Sequence, residues 1–189
     1  MKIVGIVGSP RKGGNTEDMT KIALEEIEKE GLETELITLV GKKIAPCEAC
    51  DACSKTHICK INDDFEPIYQ KMAKAEGFIL ATPVYFGAAT PQICAFISRC
   101  YAHSGGVTGM QLENKVGGPI VVARRAGKWF TFTQLMFFFM STGVIVPGSM
   151  YPPLSLGWEK GESVKDKEGV AEVKVFAKRL AWLAKKVNT

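Results

Sequence analysis

Four of the six cysteines lie close together, with the spacing C-x2-C-x2-C-x5-C, as Cys47, Cys50, Cys53 and Cys59. Three thiolates separated by two residues, with a fourth close behind, can surround one iron–sulfur cubane and bind each iron in turn. A structural zinc site of four thiolates, or one that uses His57, is the alternative, but zinc ligands more often form two separated pairs. The spacing favours a single [4Fe–4S] cluster over zinc. Disulfide bonds are the least favoured role for these cysteines.

A second group of residues follows a short apolar run at residues 3–7, where the chain breaks into a loop rich in Gly, hydroxyl groups and basic side chains. The glycines let backbone N–H groups approach an anion, and the start of the next helix adds its positive end. The loop matches neither G-x-G-x-x-G nor the P-loop pattern, so it suits a single terminal phosphate, with FMN the obvious candidate. An ordinary polar turn capped by its threonine is the alternative. The expected phosphate-binding residues are Ser9, Arg11, Lys12, Gly14, Asn15 and Thr16.

Two further loops have compositions that suit a flavin ring. The first follows the apolar run at residues 77–81 and combines a stiff proline, two aromatic rings and exposed backbone amides. The second follows residues 118–123, and an arginine there would stabilise the anionic reduced ring, unless it is an exposed basic turn. The predicted contacts are Pro83, Val84, Tyr85, Phe86 and Gly87 in the first loop, and Ala123, Arg124 and Arg125 in the second.

The hydrophobic pattern predicts the scaffold that positions these loops. Nearly continuous apolar runs alternate with amphipathic segments, which is typical of parallel strands connected by helices. We therefore expect an α/β fold, a flavodoxin-like doubly wound five-stranded parallel sheet in the order 2-1-3-4-5, with the ligand at the switch between strands one and three. The predicted strands are residues 3–7, 33–40, 77–81, 118–123 and 143–146; the predicted helices are 16–30, 65–75, 90–101, 129–141 and 170–187, and a loop is predicted at 104–114.

Length and composition limit the function classes. The 189 residues predict a single domain, 1–189, with a cysteine-rich loop at about 41–62. A net charge of +4, dispersed along the chain, argues against nucleic-acid binding. The most apolar segment, 135–140, is too short to cross a membrane and no signal peptide is recognisable, so we expect a cytoplasmic protein with no membrane partner. In that compartment clustered cysteines indicate metal or redox chemistry.

The segment at 129–141 contains more aromatic side chains than one helix face can bury, which predicts a subunit interface. Cys94 and Cys100 lie six residues apart on a predicted helix, so they face different sides and are expected to be buried small hydrophobes. His57 and His103 have no partner that is visible in the sequence, and neither is assigned a catalytic role.

Taken together, these motifs resemble the iron–sulfur flavoprotein family of anaerobic archaea and bacteria, within the NADPH-dependent FMN reductase group. The resemblance implies FMN, one [4Fe–4S] cluster on the compact cysteine motif, and electron transfer from a ferredoxin-like donor to an acceptor such as dioxygen or peroxide. It also implies a homodimer or homotetramer in which the cluster of one subunit faces the flavin of another. The resemblance rests on four stretches of sequence: Gly8-Ser9-Pro10-Arg11-Lys12-Gly13, Ala45-Pro46-Cys47-x2-Cys50-x2-Cys53, Cys59 with Asp63-Asp64 after it, and Pro83-Val84-Tyr85.

The leading hypothesis is a redox protein in which FMN converts between two-electron and one-electron steps and the cluster carries single electrons. The residues leave two other functions open. One is a pyridine-nucleotide-dependent FMN or quinone reductase whose cysteines hold zinc or nothing. The other is a flavin-binding electron carrier or redox-sensing module without sustained turnover.

Overall fold

Five parallel strands form a single sheet in the order β2-β1-β3-β4-β5 in the computed structural model, which describes residues 1–103 and 111–188. Helices connect the strands, so the predicted doubly wound, flavodoxin-like fold is confirmed. The strands are β1 (Lys2–Val7), β2 (Glu33–Thr38), β3 (Gly77–Pro83), β4 (Val116–Ala123) and β5 (Leu154–Leu156). The helices are α1 (Asn15–Lys29), α2 (Ala52–Thr56), α3 (Phe65–Lys74), α4 (Pro91–His103), α5 (Lys128–Ser141) and α6 (Lys167–Val187), with a 3₁₀ turn at Ser163–Lys165.

Each face of the sheet carries its own hydrophobic core, because successive side chains of a strand point to opposite faces. In β1, Val4 and Ile6 pack with the aromatic residues of α3, α4 and α5. Ile3 and Val7 belong to the second core, which α1 and α6 complete on the opposite face. The central strands are apolar throughout because both of their faces are covered.

The fifth strand was predicted at residues 143–146, and this prediction is wrong. Ile145 makes only one isolated parallel bridge, to Val116 of β4. Pro147 follows almost at once, and a proline has no N–H with which to continue the ladder. The chain leaves the sheet and returns as β5, whose three residues pair with Val121 through Ala123.

Two other predictions differ from the structure in detail. The cysteine-rich loop contains the short helix α2. The residues that cap it on either side, Asp51 and His57, both have positive φ. The N-cap of α1 is Gly14 and the side chain of Thr16 is buried, so the alternative of a turn capped by that threonine does not hold. The loop predicted at 104–114 has residues 104–110 outside the described part of the chain. Within residues 1–103 and 111–188, no helix combines the length and hydrophobicity needed to cross a bilayer.

Candidate functional site

The loop after β1 is fixed against β3 and the start of α4. The N–H of Gly8 donates to the carbonyl oxygen of Ala81 at 2.8 Å, and the hydroxyl of Thr90 donates to the carbonyl oxygen of Gly8 at 2.7 Å. A Cβ at Gly8 would lie 1.9 Å from a side-chain carbon of Ile93, so only glycine fits there. This close packing puts the loop at the carboxyl edge of the sheet, where the strand order reverses.

A small pocket of about 80 Å³ opens between this loop and the loop after β3. It receives the N-terminal end of α1, whose free N–H groups favour an anion. The hydroxyl residues Ser9 and Thr16 are 4% and 2% exposed in it. The sequence-predicted residues that line it are Ser9, Arg11, Gly14, Asn15, Thr16, Pro83, Val84, Tyr85 and Arg124, and it is completed by Val122, Gly157 and Trp158.

A second pocket of about 560 Å³ lies beside the first, and Val84 and Arg124 line both. Phe86 and Phe130 are the aromatic residues of its lining. The two pockets together offer a small anion site continuous with a larger, partly aromatic cleft. The remaining lining residues are Gly87, Arg125, Ala126 and Gly127.

Two of the predicted flavin-site residues lie away from these pockets. Lys12 is exposed, and its carbonyl oxygen accepts a hydrogen bond from the ammonium group of Lys160 at 2.9 Å. Ala123 is buried in β4, with 1% of its surface exposed.

The loops that form the larger pocket are held together by backbone contacts. Tyr85 and Ala88 exchange two backbone hydrogen bonds of 2.8 and 3.1 Å, and Phe86 at the tip has a φ of 51°. Gly127 has a φ of 85°, and a Cβ there would meet a methyl group of Val84 at 2.9 Å. The segment after β3 and the segment after β4 therefore pack tightly, with the aromatic ring of Phe86 projecting into solvent.

Trp158, which was not predicted as a site residue, lies against two arginines of the small pocket. The guanidinium carbon of Arg11 lies 5.3 Å from its ring centroid and that of Arg124 lies 4.5 Å from it. The side chain of Asn15 holds the same segment, donating to the carbonyl oxygen of Glu159 at 2.8 Å and accepting from the N–H of Ser163 at 3.3 Å. In this structure Asn15 thus anchors the segment that carries Trp158.

The four clustered cysteines line one pocket of about 330 Å³, against the C-terminal half of α4. Cys47 and Cys50 are exposed, while Cys53 and Cys59 are partly buried. Burial, followed by the electrostatic effect of the other three thiols, raises the pKa of Cys53. In the described ranges no three His, Cys, Asp or Glu side chains are grouped to hold one metal ion. The thiols surround a cavity instead of converging on a point.

Arg99 of α4 lies behind this pocket and was not predicted as a site residue. It is 1% exposed, and its guanidinium donates to Oδ2 of Asp63 at 2.6 Å and to Sγ of Cys59 at 3.1 Å. Burial opposes the charged form of Arg99, but these two partners outweigh it and raise its pKa. Burial likewise opposes the charge of Asp63, yet Arg99 and two backbone N–H groups lower its pKa. Both groups are charged in the folded protein.

Cys94 and Cys100 lie outside the cysteine pocket, whereas His103 is part of its lining. Cys100 is fully buried, as expected, and burial raises the pKa of its thiol well above the ordinary value. Cys94 is only partly buried and accepts a hydrogen bond from Gln134 at 3.5 Å. His103 does have a partner, since its Nε2 lies 2.9 Å from a carboxylate oxygen of Glu66.

The two candidate sites lie at opposite ends of α4. Its first residue, Pro91, follows Thr90, which contacts the loop after β1. Ala102, near its end, lines the cysteine pocket. A rise of 1.5 Å per residue separates these two ends by about 17 Å. The helix α4 therefore leads from the loops that border the small pocket to the cysteine pocket of the same protomer.

Comparison with known proteins agrees with this architecture. Residues 1–159 match the family model of NADPH-dependent FMN reductases. The chain is 36% identical to an iron-sulfur flavoprotein of Methanocaldococcus jannaschii, covering 100% of both chains, and 36% identical to the iron-sulfur flavoprotein of Methanosarcina thermophila, covering 95% of this chain and 93% of that one.

Solved structures show the same fold. RosB, determined with bound 8-demethyl-8-formylriboflavin-5'-phosphate, superposes with a TM-score of 0.79 at 17% identity, over 100% of this chain and 80% of that chain. A WrbA-like flavodoxin of Agrobacterium tumefaciens superposes with a TM-score of 0.71 at 18% identity, over 98% of each chain. On the full-length sequence matches, this chain belongs to the iron–sulfur flavoproteins of the NADPH-dependent FMN reductase family.

Proposed function

We propose that this member of a flavin-dependent oxidoreductase family carries FMN and one [4Fe–4S] cluster, and passes electrons from a ferredoxin-like donor to a small acceptor such as dioxygen or peroxide. The observation that carries the proposal is the presence, in one chain, of a pocket lined by hydroxyl and arginine residues at the N-terminus of α1 and a pocket lined by four free thiols. When bound, FMN supplies exchange between two-electron and one-electron transfer, and the cluster supplies one-electron transfer.

The chain's own residues would hold FMN by its phosphate and by the wall of its ring. Ser9 and Thr16 offer buried hydroxyls beside the N-terminus of α1, and Arg11 adds a positive charge to the same pocket. The backbone of the Tyr85 to Ala88 turn and the side chain of Arg124 border the larger cleft. A cation there favours the anionic form of a reduced ring.

We propose a cluster and not zinc for the cysteine pocket, on the spacing of the cysteines and the size of the cavity. A tetrahedral zinc site draws its ligands to about 2.3 Å from one ion. The four thiols instead line a cavity of about 330 Å³, and no three of the metal-binding side chains in the described residues are grouped around one point. Thiolates on a cubane stand apart because each binds a different iron, so Cys47, Cys50, Cys53 and Cys59 are proposed as its ligands.

The separation of the two pockets and the surface of α5 support an assembly. Within one protomer the ends of α4 that lead to the two sites are about 17 Å apart, and we propose that electrons pass from the cluster of one subunit to the flavin of a neighbouring one. Trp129, Phe130 and Phe137 on α5 are 56%, 77% and 73% exposed, respectively, which is unusual for large apolar side chains. We propose a homodimer or homotetramer that buries this face, located in the cytoplasm.

Metal and flavin analysis of protein purified without air tests the proposal. We expect one FMN and four irons per chain, with flavin absorbance superposed on a broad iron–sulfur band. Cys50→Ser is expected to lose the iron and keep FMN, whereas the control Cys94→Ser, outside the cysteine pocket, keeps both. Wild-type protein that binds zinc or no metal, or a Cys50→Ser variant with full iron content, would contradict the cluster assignment.

The family match favours a second candidate, an NAD(P)H-dependent FMN or quinone reductase without a cluster. Rapid bleaching of the bound flavin by NADPH in protein free of iron would support this candidate. Slow bleaching by NADPH, together with fast reduction by a reduced ferredoxin, would support the first.

A further inference from the structure

We propose that Arg99 is a positioning residue of the cysteine pocket, which donates a charged hydrogen bond to Cys59 and so raises the reduction potential of the cluster. This inference rests on the proposed function, because it concerns the cluster held by the four cysteines. It assigns to one buried side chain of α4 the electrostatic tuning of that site.

The guanidinium of Arg99 is surrounded by groups from both ends of the cysteine loop. One nitrogen, Nη1, donates to the carboxylate of Asp63 at 2.6 Å and to the carbonyl oxygen of Ala45 at 3.3 Å. The other, Nη2, donates to Sγ of Cys59 at 3.1 Å and to the carbonyl oxygen of Ile61 at 3.3 Å. The planar fork therefore connects the residues before the first cysteine to those after the last.

The orientation of the guanidinium does not depend on the cysteines alone. Its central carbon lies 4.2 Å from the ring centroid of Phe65. Asp63 is itself fixed, because its carboxylate accepts hydrogen bonds from the N–H groups of Ala45 at 2.9 Å and Phe65 at 3.0 Å. These contacts hold the guanidinium from sides other than the cysteines, with one N–H of Arg99 directed at the sulfur of Cys59.

The effect on potential follows from charge. One-electron reduction makes a cluster and its sulfur ligands more negative, and hydrogen bonds to sulfur, net charge and solvent exposure set its potential. A donor with a full positive charge stabilises the reduced form more than a neutral donor does. Arg99 is 1% exposed, so salt and water screen it little.

In the described part of the chain no cation hydrogen-bonds Cys53, whose thiol donates to the carbonyl oxygen of Ala102 at 3.4 Å, and the partners of Cys47 and Cys50 are neutral or exposed. Sγ of Cys47 accepts from the neutral backbone N–H of Ala49 at 3.4 Å. Lys60 brings a positive charge toward Cys50, but its side chain is 51% exposed and is paired with Glu48 at 3.4 Å. Arg99 is thus the buried cation of this pocket within the described residues, and Lys60 provides a matched exposed control.

Potentiometric titration of the anaerobic holoprotein tests the inference. Arg99→Gln removes the charge and keeps an amide donor, and we expect the equilibrium constant for one-electron reduction to fall at least tenfold, which corresponds to about 59 mV. Asp63→Asn leaves Arg99 in place without its counter-charge and is expected to shift the potential in the opposite direction. Lys60→Gln is expected to change it much less than Arg99→Gln.

The outcomes separate this inference from the proposed function. If wild-type protein contains no iron, the proposed function is wrong. Wild-type and Arg99→Gln proteins with equal iron content and equal potentials overturn the role of Arg99 alone. If Arg99→Gln does not fold, pulsed EPR of reduced wild-type protein labelled with ¹⁵N-arginine decides, since we expect hyperfine coupling to a guanidinium nitrogen; its absence overturns the inference.

Discussion

The hydroxyl of Thr90 donates a hydrogen bond of 2.7 Å to the carbonyl oxygen of Gly8. Both residues are buried, and the N–H of Thr90 donates to the hydroxyl of Thr82 at 3.1 Å. The loop after β1, the end of β3 and the first residues of α4 therefore form one rigid unit. The small pocket between the loops after β1 and β3 borders this unit, and α4 leads from it to the cysteine pocket.

Replacing Thr90 with valine tests the importance of this contact. The substitution keeps the shape but removes the donor to Gly8, which we expect to reduce the free energy of unfolding by about 1–3 kcal/mol and to weaken FMN binding. Urea denaturation and FMN fluorescence titration measure the two effects. Thr133→Val removes a similar hydroxyl on the exposed surface of α5 and is expected to change stability by less than about 0.5 kcal/mol. Equal effects of the two variants would contradict the prediction.

Gly157 tests the segment that carries Trp158. A Cβ at Gly157 would lie 2.8 Å from both the side-chain nitrogen of Asn15 and the backbone nitrogen of Ser163. We expect Gly157→Ala to cost about 1–3 kcal/mol of stability and to weaken FMN binding, because the segment must move away from α1. Gly148 has open space around it, so Gly148→Ala is the control with wild-type behaviour. Isothermal titration with FMN and thermal melts measure the two effects. If Gly157→Ala and Gly148→Ala behave alike, the prediction is wrong.

Glu26 gives a pH-dependent prediction. Its carboxylate accepts a hydrogen bond from Lys29 at 2.7 Å, and that bond lowers its pKa below the ordinary value of 4.5, with Lys178 and Lys174 adding to the effect. A carboxyl whose pKa is lower in the folded state stabilises the protein above its unfolded pKa and loses this effect as the pH falls through the folded value.

Glu26→Gln is therefore expected to unfold more easily than wild type at pH 7, and the difference is expected to shrink as the pH falls below about 4. Denaturant unfolding at a series of pH values measures this difference. Glu25→Gln, on the exposed face of the same helix, serves as the control. A difference that stays constant down to pH 3 would show that Glu26 acts through packing.

The cysteines predict an order of thiol reactivity in metal-free protein. Cys47 and Cys50 are exposed, whereas Cys100 is fully buried and burial raises its pKa. We expect iodoacetamide to label the exposed pair at least about tenfold faster than Cys100, as followed by peptide mass spectrometry. Loading with iron and sulfide is expected to protect all four residues of the cysteine pocket and to leave Cys94 unchanged. Early labelling of Cys100 would mean that the core of α4 opens readily.

The exposed aromatic face of α5 predicts the effect of a charge on assembly. Phe137 is 73% exposed, and Phe137→Lys is expected to shift the protein to a smaller assembly in light scattering after gel filtration. Trp182→Lys places the same charge on α6, where Trp182 is 57% exposed, and is expected to leave the assembly unchanged. If Trp182→Lys dissociates the assembly and Phe137→Lys does not, the interface is not formed by α5.

The central strands were predictable because burial on both faces demands continuous apolar runs, as in Phe78, Ile79 and Leu80. The fifth strand was not, because Val144 to Val146 is as apolar as a strand while the real β5 has only three residues within a Pro- and Gly-rich stretch. A run of three residues is too short to show the alternation of side chains that indicates a strand. Its position depends on pairing with β4, a contact between distant parts of the chain.

The candidate site was predictable where neighbouring residues form a loop, and was missed where distant residues meet. Ser9 and Thr16 share a short segment, and the cysteine spacing is visible in the sequence. Trp158 approaches Arg11 only after the sheet is complete. Arg99 had one local signal, since a charged residue lies on the same face of α4 as the buried Phe96 and His103.

The length of α4 has a consequence for how such proteins can vary. The residues from Pro91 to Ala102 set the length of α4 between its two ends at about 17 Å, and an insertion or deletion within the helix changes that length. Substitutions around Arg99 alter the surroundings of the cysteines and leave that spacing intact. Under the proposed function, the distance over which electrons pass and the driving force for their transfer therefore depend on different residues of the chain.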